Sequence, residues 1–355
     1  MGRFGNQVDQ LLGTIKFAKS LKRTLVLPPF LDYPHGFVKA APVPFDDVFK
    51  VAPLQDLLPV VLMDDFVTNI APKLWPENKR YVFCQRPRAS VLSPHLPPSC
   101  NSKDGNPFEV FWDHHNVDFF DDKYFGDIGF NMDEKITVKR WIEYSAKYPI
   151  LAFTSAPTGF PVKSDLHVYQ KHFQWADKIV DDAQTFIKLH LRRPFVAVHL
   201  RNNIDWEGAC SHVNSNTHFF ASAQCTGDNF EIAKPSKELC FPNETAVISS
   251  IRKAVDNIQA KSVFVFSDRD HMIGPLYREF GMNVSVRKLP EPDQFISLAI
   301  AGLSDHFVAN CMSTFSAVTV RQRKYHNEKY TSTSFLGLEI DEKGDIQKKP
   351  THEEL

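Results

Sequence analysis

The chain has no apolar run of about 18 residues, so no transmembrane helix is expected. Charge of either sign is not in excess: 41 basic residues stand against 42 acidic ones, a net charge of -1. No electrostatic footprint for nucleic acid or an anionic membrane follows, and no basic stretch is interleaved with aromatics. Cys-x-x-Cys spacing is missing and no His pair completes a zinc ligand set. Walker A, G-x-G-x-x-G, G-x-S-x-G and H-E-x-x-H are missing too, which argues against the matching P-loop, dinucleotide, hydrolase and zincin classes. There is no internal repeat, and nothing at the start reads as a signal peptide.

What is present is a globular composition with 43% hydrophobic and 23% charged residues, long enough for two domains. Thirty phenylalanines imply a core built largely from rings. The six cysteines, at 84, 100, 210, 225, 240 and 311, are an even number without metal spacing, which suggests disulfides in an oxidising compartment. Two sequons agree, at Asn243-Glu244-Thr245 and Asn283-Val284-Ser285. So do the last four residues, His352-Glu353-Glu354-Leu355, which resemble the Lys-Asp-Glu-Leu retrieval signal of the endoplasmic reticulum. Together these signs place the chain in the lumen of that organelle.

The stretch at the centre of the pattern is FVAVHLRNNID, residues 195–205. Phe195 to Val198 read as a buried parallel strand after Pro194, and the run ends abruptly in His199, Arg201, Asn202, Asn203 and Asp205. In an open α/β sheet ligands sit beyond the carboxyl ends of the strands. A polar cluster there is placed for chemistry, and Arg201 can give two parallel hydrogen bonds to a phosphate. The plainer reading is a surface ion pair between Arg201 and Asp205.

Around that strand, helical spacing marks 245–258, 272–280 and 293–302, and apolar runs mark strands at 262–266, 283–286 and 306–309, with a helix from about Ser316. This alternation argues for a parallel doubly wound sheet. Residues 169–191 read as one long helix between two domains, 1–180 and 181–330, and 331–355 as a peripheral polar tail. Near the start, GRFGNQ is a glycine-flanked turn feeding a helix. It is open to two readings, an anion-binding device or a tight turn with a capping Asn.

Four polar turns follow strands or open helices: GRFGNQ, HLRNNID, FSDRD and NCMSTF. Arg3 and Arg201 could neutralise a diphosphate, with Ser313 and Thr314 bonding its oxygens at a helix start. Asp268-Arg269-Asp270 spells Asp-x-Asp, a three-letter pattern that holds a divalent cation in many glycosyltransferases. The preferred reading is that Asp268 orients a loop or bonds the ligand and that no metal is held. His114, His115 and His271 read as surface or packing residues.

MGRFGNQ, LGTIKFAKSLKRTLVLPP, GNPFEVFWD, VHLRNNIDWEGAC and DHFVANCMSTFSA, in that order, resemble the protein O-fucosyltransferase 1 family nearly end to end. The resemblance implies an α/β fold of GT-B type, two Rossmann-like domains facing a nucleotide-sugar cleft. It implies an inverting transfer of fucose from GDP-fucose to Ser or Thr of EGF-like repeats, as in Notch-type receptors, by a monomer that needs no metal cofactor. By the same match Arg201 binds the β-phosphate and stabilises departing GDP, and His199 helps hold guanine. Ser313, Thr314 and Phe315 line the diphosphate and sugar. Arg3, Phe4, Gly5 and Asn6 come from the facing domain, Asn6 near the acceptor hydroxyl, while Asp205 orients Arg201. Asp268 is counted with the donor-binding group. The disulfides carried by position are Cys84–Cys100, Cys210–Cys240 and Cys225–Cys311.

Two departures accompany the match. Family members carry a strand and a short cysteine-containing segment ahead of MGRFGNQ, so the first domain is expected to want an edge or central strand. The family also has a guanine-recognising Asp before DHF. Asp293 is the nearest carboxylate, while Ser297 or Ile296 aligns closer. Two rival functions stand beside the enzyme: a chaperone for EGF-repeat proteins that keeps the cleft only as structure, and a metal-dependent transferase using Asp268 and Asp270.

Overall fold

In the computed structural model, residues 2–33, 39–124, 134–326 and 332–338 are described. The chain divides into two units, 1–176 and 177–355.

In the second unit the apolar runs become five parallel strands in the spatial order Ser285–Arg287, Ser262–Ser267, Phe195–Leu200, His306–Ala309, Thr333–Phe335. By sequence that is third, second, first, fourth, fifth, so the winding reverses between Phe195–Leu200 and His306–Ala309. Alternate side chains go to opposite faces. Val196, Val198, Leu200, Val263, Val265 and Val308 share one core cluster with Val247, Ile251, Ala254 and Val255 of the helix Glu244–Ile258 and with Leu276. On the other side Phe266 stacks between Phe264 and His199, with ring centroids at 5.8 and 4.9 Å, and Phe186 of the helix Asp177–His190 meets Phe264 edge-on. All six residues of Phe195–Leu200 are buried, as a strand covered on both faces requires. Asn243 starts one helix by accepting from the Ala246 N–H at 2.9 Å. Both sequon asparagines, Asn243 and Asn283, are exposed.

Two expectations fail here. The supposed tail beyond 331 supplies an edge strand, Thr333–Phe335, with Phe335 and Leu336 buried. Its Ser-rich sequence carries no apolar run. It is held by His306, whose ring nitrogens lie 2.7 and 2.8 Å from the hydroxyls of Ser332 and Ser334, and by Arg323, which donates to the Ser332 carbonyl. The long helix over 169–191 is broken. A tight 3-10 segment, Ser164–His172, stops before Phe173, and the α-helix begins at Asp177. Between them the backbone pairs with Val48 and Lys50, and Phe173 and Trp175 pack on Phe49. Tertiary pairing and ring packing overrode local helical spacing.

In the first unit Leu25–Leu27 pairs in parallel with Val60–Leu62, and Tyr81–Cys84 lies between Asp121–Tyr124 and Ala152–Phe153, also in parallel. An antiparallel ribbon joins Phe30–Asp32 to Ala41–Val43. The helix Phe4–Ser20 starts earlier than the glycine turn suggested, because Phe4 is drawn into a ring cluster with Phe30, Phe49 and Trp175. Mid-helix Gly13 is required by a close approach: a Cβ there would overlap the Thr158 side chain.

Among the described residues the two parallel sheets of this unit are not joined. A largely apolar cavity of about 650 Å³ is lined by Leu25, Val26 and the segment 149–157, by Leu11 and Phe17 of the helix, and by Met63, Phe66, Trp75, Phe111 and Trp112. Arg23 closes one end through the carbonyls of Ser145, Tyr148 and Pro149.

Candidate functional site

A doubly wound sheet leaves a crevice where the winding reverses, because the loops leaving the two central strands turn to opposite faces. Here the crevice opens at the carboxyl ends of Phe195–Leu200 and His306–Ala309, and the polar residues marked in sequence at 199–205 and 310–316 follow those strands.

Arg201 is the fixed cation of the site. Its guanidinium donates to both carboxylate oxygens of Asp205, at 3.3 and 2.8 Å, and closely contacts Oδ2 of Asp268. Its carbon lies 5.1 Å from the Trp206 ring centroid, and the side chain is 13% exposed. The ion pair with Asp205 considered from sequence exists, as one half of a clamp. Asp268 was read as orienting a loop or bonding the ligand, and the first role is the one seen: Oδ1 accepts the Asn202 N–H at 2.9 Å and Oδ2 faces Arg201. Its carboxylate is committed to protein groups, because it must balance a largely enclosed guanidinium.

Asparagines lock the loops. Asn202 donates from its amide nitrogen to the Asp270 carbonyl at 2.7 Å and accepts from the Ser267 hydroxyl at 2.8 Å, tying two strand ends together. Asn203 caps the helix Ile204–Cys210 that carries Asp205. Asn310, fully buried, donates to the Cys240 carbonyl at 3.1 Å and accepts from the Met312 and Ser313 N–H groups. Ser313 and Thr314 are buried at the start of the helix Thr314–His326, whose first N–H groups form a ready anion site.

His199 is 3% exposed and lies against Phe266 and Phe315. Burial, with the Arg201 charge beside it, lowers its pKa to about 3, so the ring is neutral. Asp293 caps the helix Gln294–Gly302, its Oδ1 accepting from the Phe295 and Ile296 N–H groups at 2.8 Å each. That capping accounts for the carboxylate without any ligand.

The remaining candidates, Arg3, Phe4, Gly5 and Asn6, lie in the first unit at the start of the helix Phe4–Ser20. Arg3 is exposed and Asn6 half-buried. Phe4 is 2% exposed, so its ring is core rather than lining.

Sequence reasoning missed Asp268 as partner of Arg201 and the fastening roles of Asn202, Asn310 and Ser316. The asparagines carried a signal, since each follows a buried strand at a tight turn. Asp268 carried only its Asp-x-Asp spacing, which does not point to Arg201, and nothing in the sequence tied Ser316 to His199, 117 residues away.

The cysteines pair as Cys84–Cys100, Cys210–Cys240 and Cys225–Cys311, as the resemblance implies. The last ties the loop after His306–Ala309 to the segment around residue 225. Of the Asp-x-Asp pair, Asp268 is engaged as above and Oδ1 of Asp270 accepts from the Met272 N–H at 2.8 Å. Among the described residues one group could hold a metal, Asp64 with His114 and His115 in the first unit, their ligand atoms within 4.8 Å of one another. There Asp64 and His115 already meet at 3.3 Å, and burial and His114 lower the pKa of His115.

The profile of the GDP-fucose protein O-fucosyltransferase family matches residues 1–326. GDP-fucose protein O-fucosyltransferase 1 of Caenorhabditis elegans is 42% identical over 345 residues, covering 95% of this chain and 88% of that protein. A crystal structure of POFUT1 in complex with GDP-fucose superposes with a TM-score of 0.90 at 41% identity, over 96% of each chain. A POFUT1 complex with GDP gives 0.89 at the same identity, over 95% of this chain and 96% of that one. These likenesses bear out the α/β, GT-B-type fold class.

Proposed function

The chain belongs to the GDP-fucose protein O-fucosyltransferase family, and from that premise we propose an inverting, metal-independent transfer of fucose to folded EGF-like repeats. The donor is GDP-fucose and the acceptor a Ser or Thr hydroxyl. The observation that carries the reading is Arg201, clamped by Asp205 and Asp268 where the winding of the sheet reverses.

The bond from fucose C1 to the β-phosphate oxygen breaks, and negative charge gathers on that oxygen. A pre-oriented guanidinium stabilises this charge more than it does the ground state. Anchoring Arg201 on two carboxylates removes the reorganisation that a free side chain would need. The N–H groups at the start of Thr314–His326 hold the other phosphate oxygens. His199, neutral and enclosed, serves the base.

The new bond forms between C1 and the acceptor oxygen on the opposite face. With the leaving bond largely broken first, the acceptor oxygen adds to a cationic C1 and loses its proton after the bond has formed, finally to the released phosphate, and no strong side-chain base is required. Asp205 positions Arg201.

Three disulfides, two exposed sequons and the His352–Leu355 ending, which lies outside the described residues, support a place in the endoplasmic reticulum lumen. The enzyme acts as a monomer on receptors of Notch type.

The test supplies GDP-fucose with a folded or a reduced and unfolded EGF-like repeat, and reads the anomeric configuration of the product by NMR. Transfer confined to the folded repeat, with inversion at C1, is expected. Retention of configuration would sink the displacement. Binding of the folded repeat without transfer would favour the chaperone reading.

A further inference from the structure

We infer that Ser316 is a positioning residue that fixes the tautomer of His199, holding the ring proton on Nε2 so that this atom donates to the nucleotide. The inference rests on the reading that His199 meets the donor.

Ser316 is fully buried in the first turns of the helix Thr314–His326. Its Oγ lies 2.7 Å from Nδ1 of His199 and accepts the backbone N–H of Asn310 at 2.9 Å. A hydroxyl has one proton and two lone pairs. The Asn310 N–H occupies a lone pair. Among the described residues the other contact of this oxygen is Nδ1, so the hydroxyl proton points there and Nδ1 is the acceptor. The opposite arrangement, Nδ1–H donating to Oγ, would leave the Ser316 proton buried without an acceptor, which protein interiors avoid. The imidazole proton therefore sits on Nε2.

The same oxygen links both halves of the site. Asn310 is locked by Cys240, Met312 and Ser313, so Ser316 Oγ is referenced to the loop that opens the anion-binding helix. His199 closes the neighbouring strand and is held by Phe266, stacked at 4.9 Å, and Phe315 at 5.1 Å. Ring orientation and tautomer are both set before a nucleotide arrives. A neutral Nε2–H pointed at an acceptor atom of a base, such as a purine carbonyl oxygen or ring nitrogen, discriminates against a base offering a donor there. Burial, and then the charge of Arg201 two residues away, keep the ring from carrying a second proton.

The test needs no variant at its first step. Long-range nitrogen–proton NMR of the ¹⁵N-histidine-labelled chain, without nucleotide, reads which ring nitrogen of His199 bears hydrogen. A protonated Nε2 and bare Nδ1 are expected; a protonated Nδ1 overturns the inference.

Then Ser316→Ala is expected to mix the tautomers and raise KM for GDP-fucose about tenfold with kcat little changed. Ser316→Thr, which keeps the hydroxyl, restores both. An S316A enzyme with wild-type tautomer and KM would also overturn it. If S316A does not fold, the wild-type spectrum and the KM of S316T still decide: an S316T enzyme that keeps the tautomer has wild-type KM, and any other outcome counts against the inference. His199→Ala separates the premise from the inference, because unchanged GDP affinity in that variant removes His199 from the donor site whatever its tautomer.

Discussion

Arg201 differs from a surface arginine in one respect: its guanidinium is held by two carboxylates and a ring before any substrate binds. Asp205 bridges Nη1 and Nη2, Asp268 closes on Nη1 as well, and Trp206 lies against the group. Asp268→Asn keeps an oxygen for the Asn202 N–H and removes the charge facing Arg201. Transfer should fall about tenfold, which is roughly 1.4 kcal/mol of transition-state stabilisation, with little loss of stability. Steady-state rates beside a denaturant titration check this. Full activity in the variant would show that Asp205 alone suffices. The residues at 199, 201 and 205 were legible in the sequence because a polar cluster interrupts an apolar run. Asp268 was legible only as half of an Asp-x-Asp pattern, which suggested a cation in place of the arginine that it serves. Spacing along the chain could not place residue 268 beside 201; the pairing of Leu200 with Ser267 does so.

At the scale of elements, the strands and helices from 195 to 309 were readable because each is a local apolar pattern bounded by turn residues. Thr333–Phe335 was not, since its strand character comes from the edge offered by His306–Ala309. The break at Phe173–Ala176 was hidden for the same reason: residue 49, far away in sequence, supplies its pairing. The first unit is the harder case. Its parallel strands fall into two sheets separated by an apolar cavity of about 650 Å³. At Gly13 of the helix Phe4–Ser20 a Cβ would overlap the Thr158 side chain, so Gly13→Ala should destabilise the chain by about 1–3 kcal/mol, read as a lower melting temperature. A wild-type melting temperature in that variant would show that Thr158 simply moves aside.

Across the whole molecule, acid should act through buried histidines. Burial, then the charge of Arg201 or Arg323, lowers the pKa of His199 to about 3 and of His306 to about 4, from 6.5. Both are neutral in the folded chain, whereas the unfolded chain protonates them near their ordinary value. Below that value the unfolded state binds more protons, so stability is fully present above it and is lost as pH falls towards 4. Each group contributes a slope of about 1.4 kcal/mol per pH unit. Denaturant unfolding at pH 7 and pH 5 should therefore differ by roughly 2–4 kcal/mol, with the acid sample weaker. A flat profile would mean that these rings are more accessible than their packing indicates.

The central claim is that a clamped arginine, rather than a metal ion, carries the charge of departing GDP. The most direct measurement is the rate of labelled fucose transfer from GDP-fucose to a folded EGF-like repeat, with and without EDTA, for the wild-type chain and for Arg201→Ala. The account predicts equal wild-type rates with and without chelator and a loss of at least about 100-fold in the variant. A wild-type rate abolished by EDTA and restored by a divalent cation would contradict it.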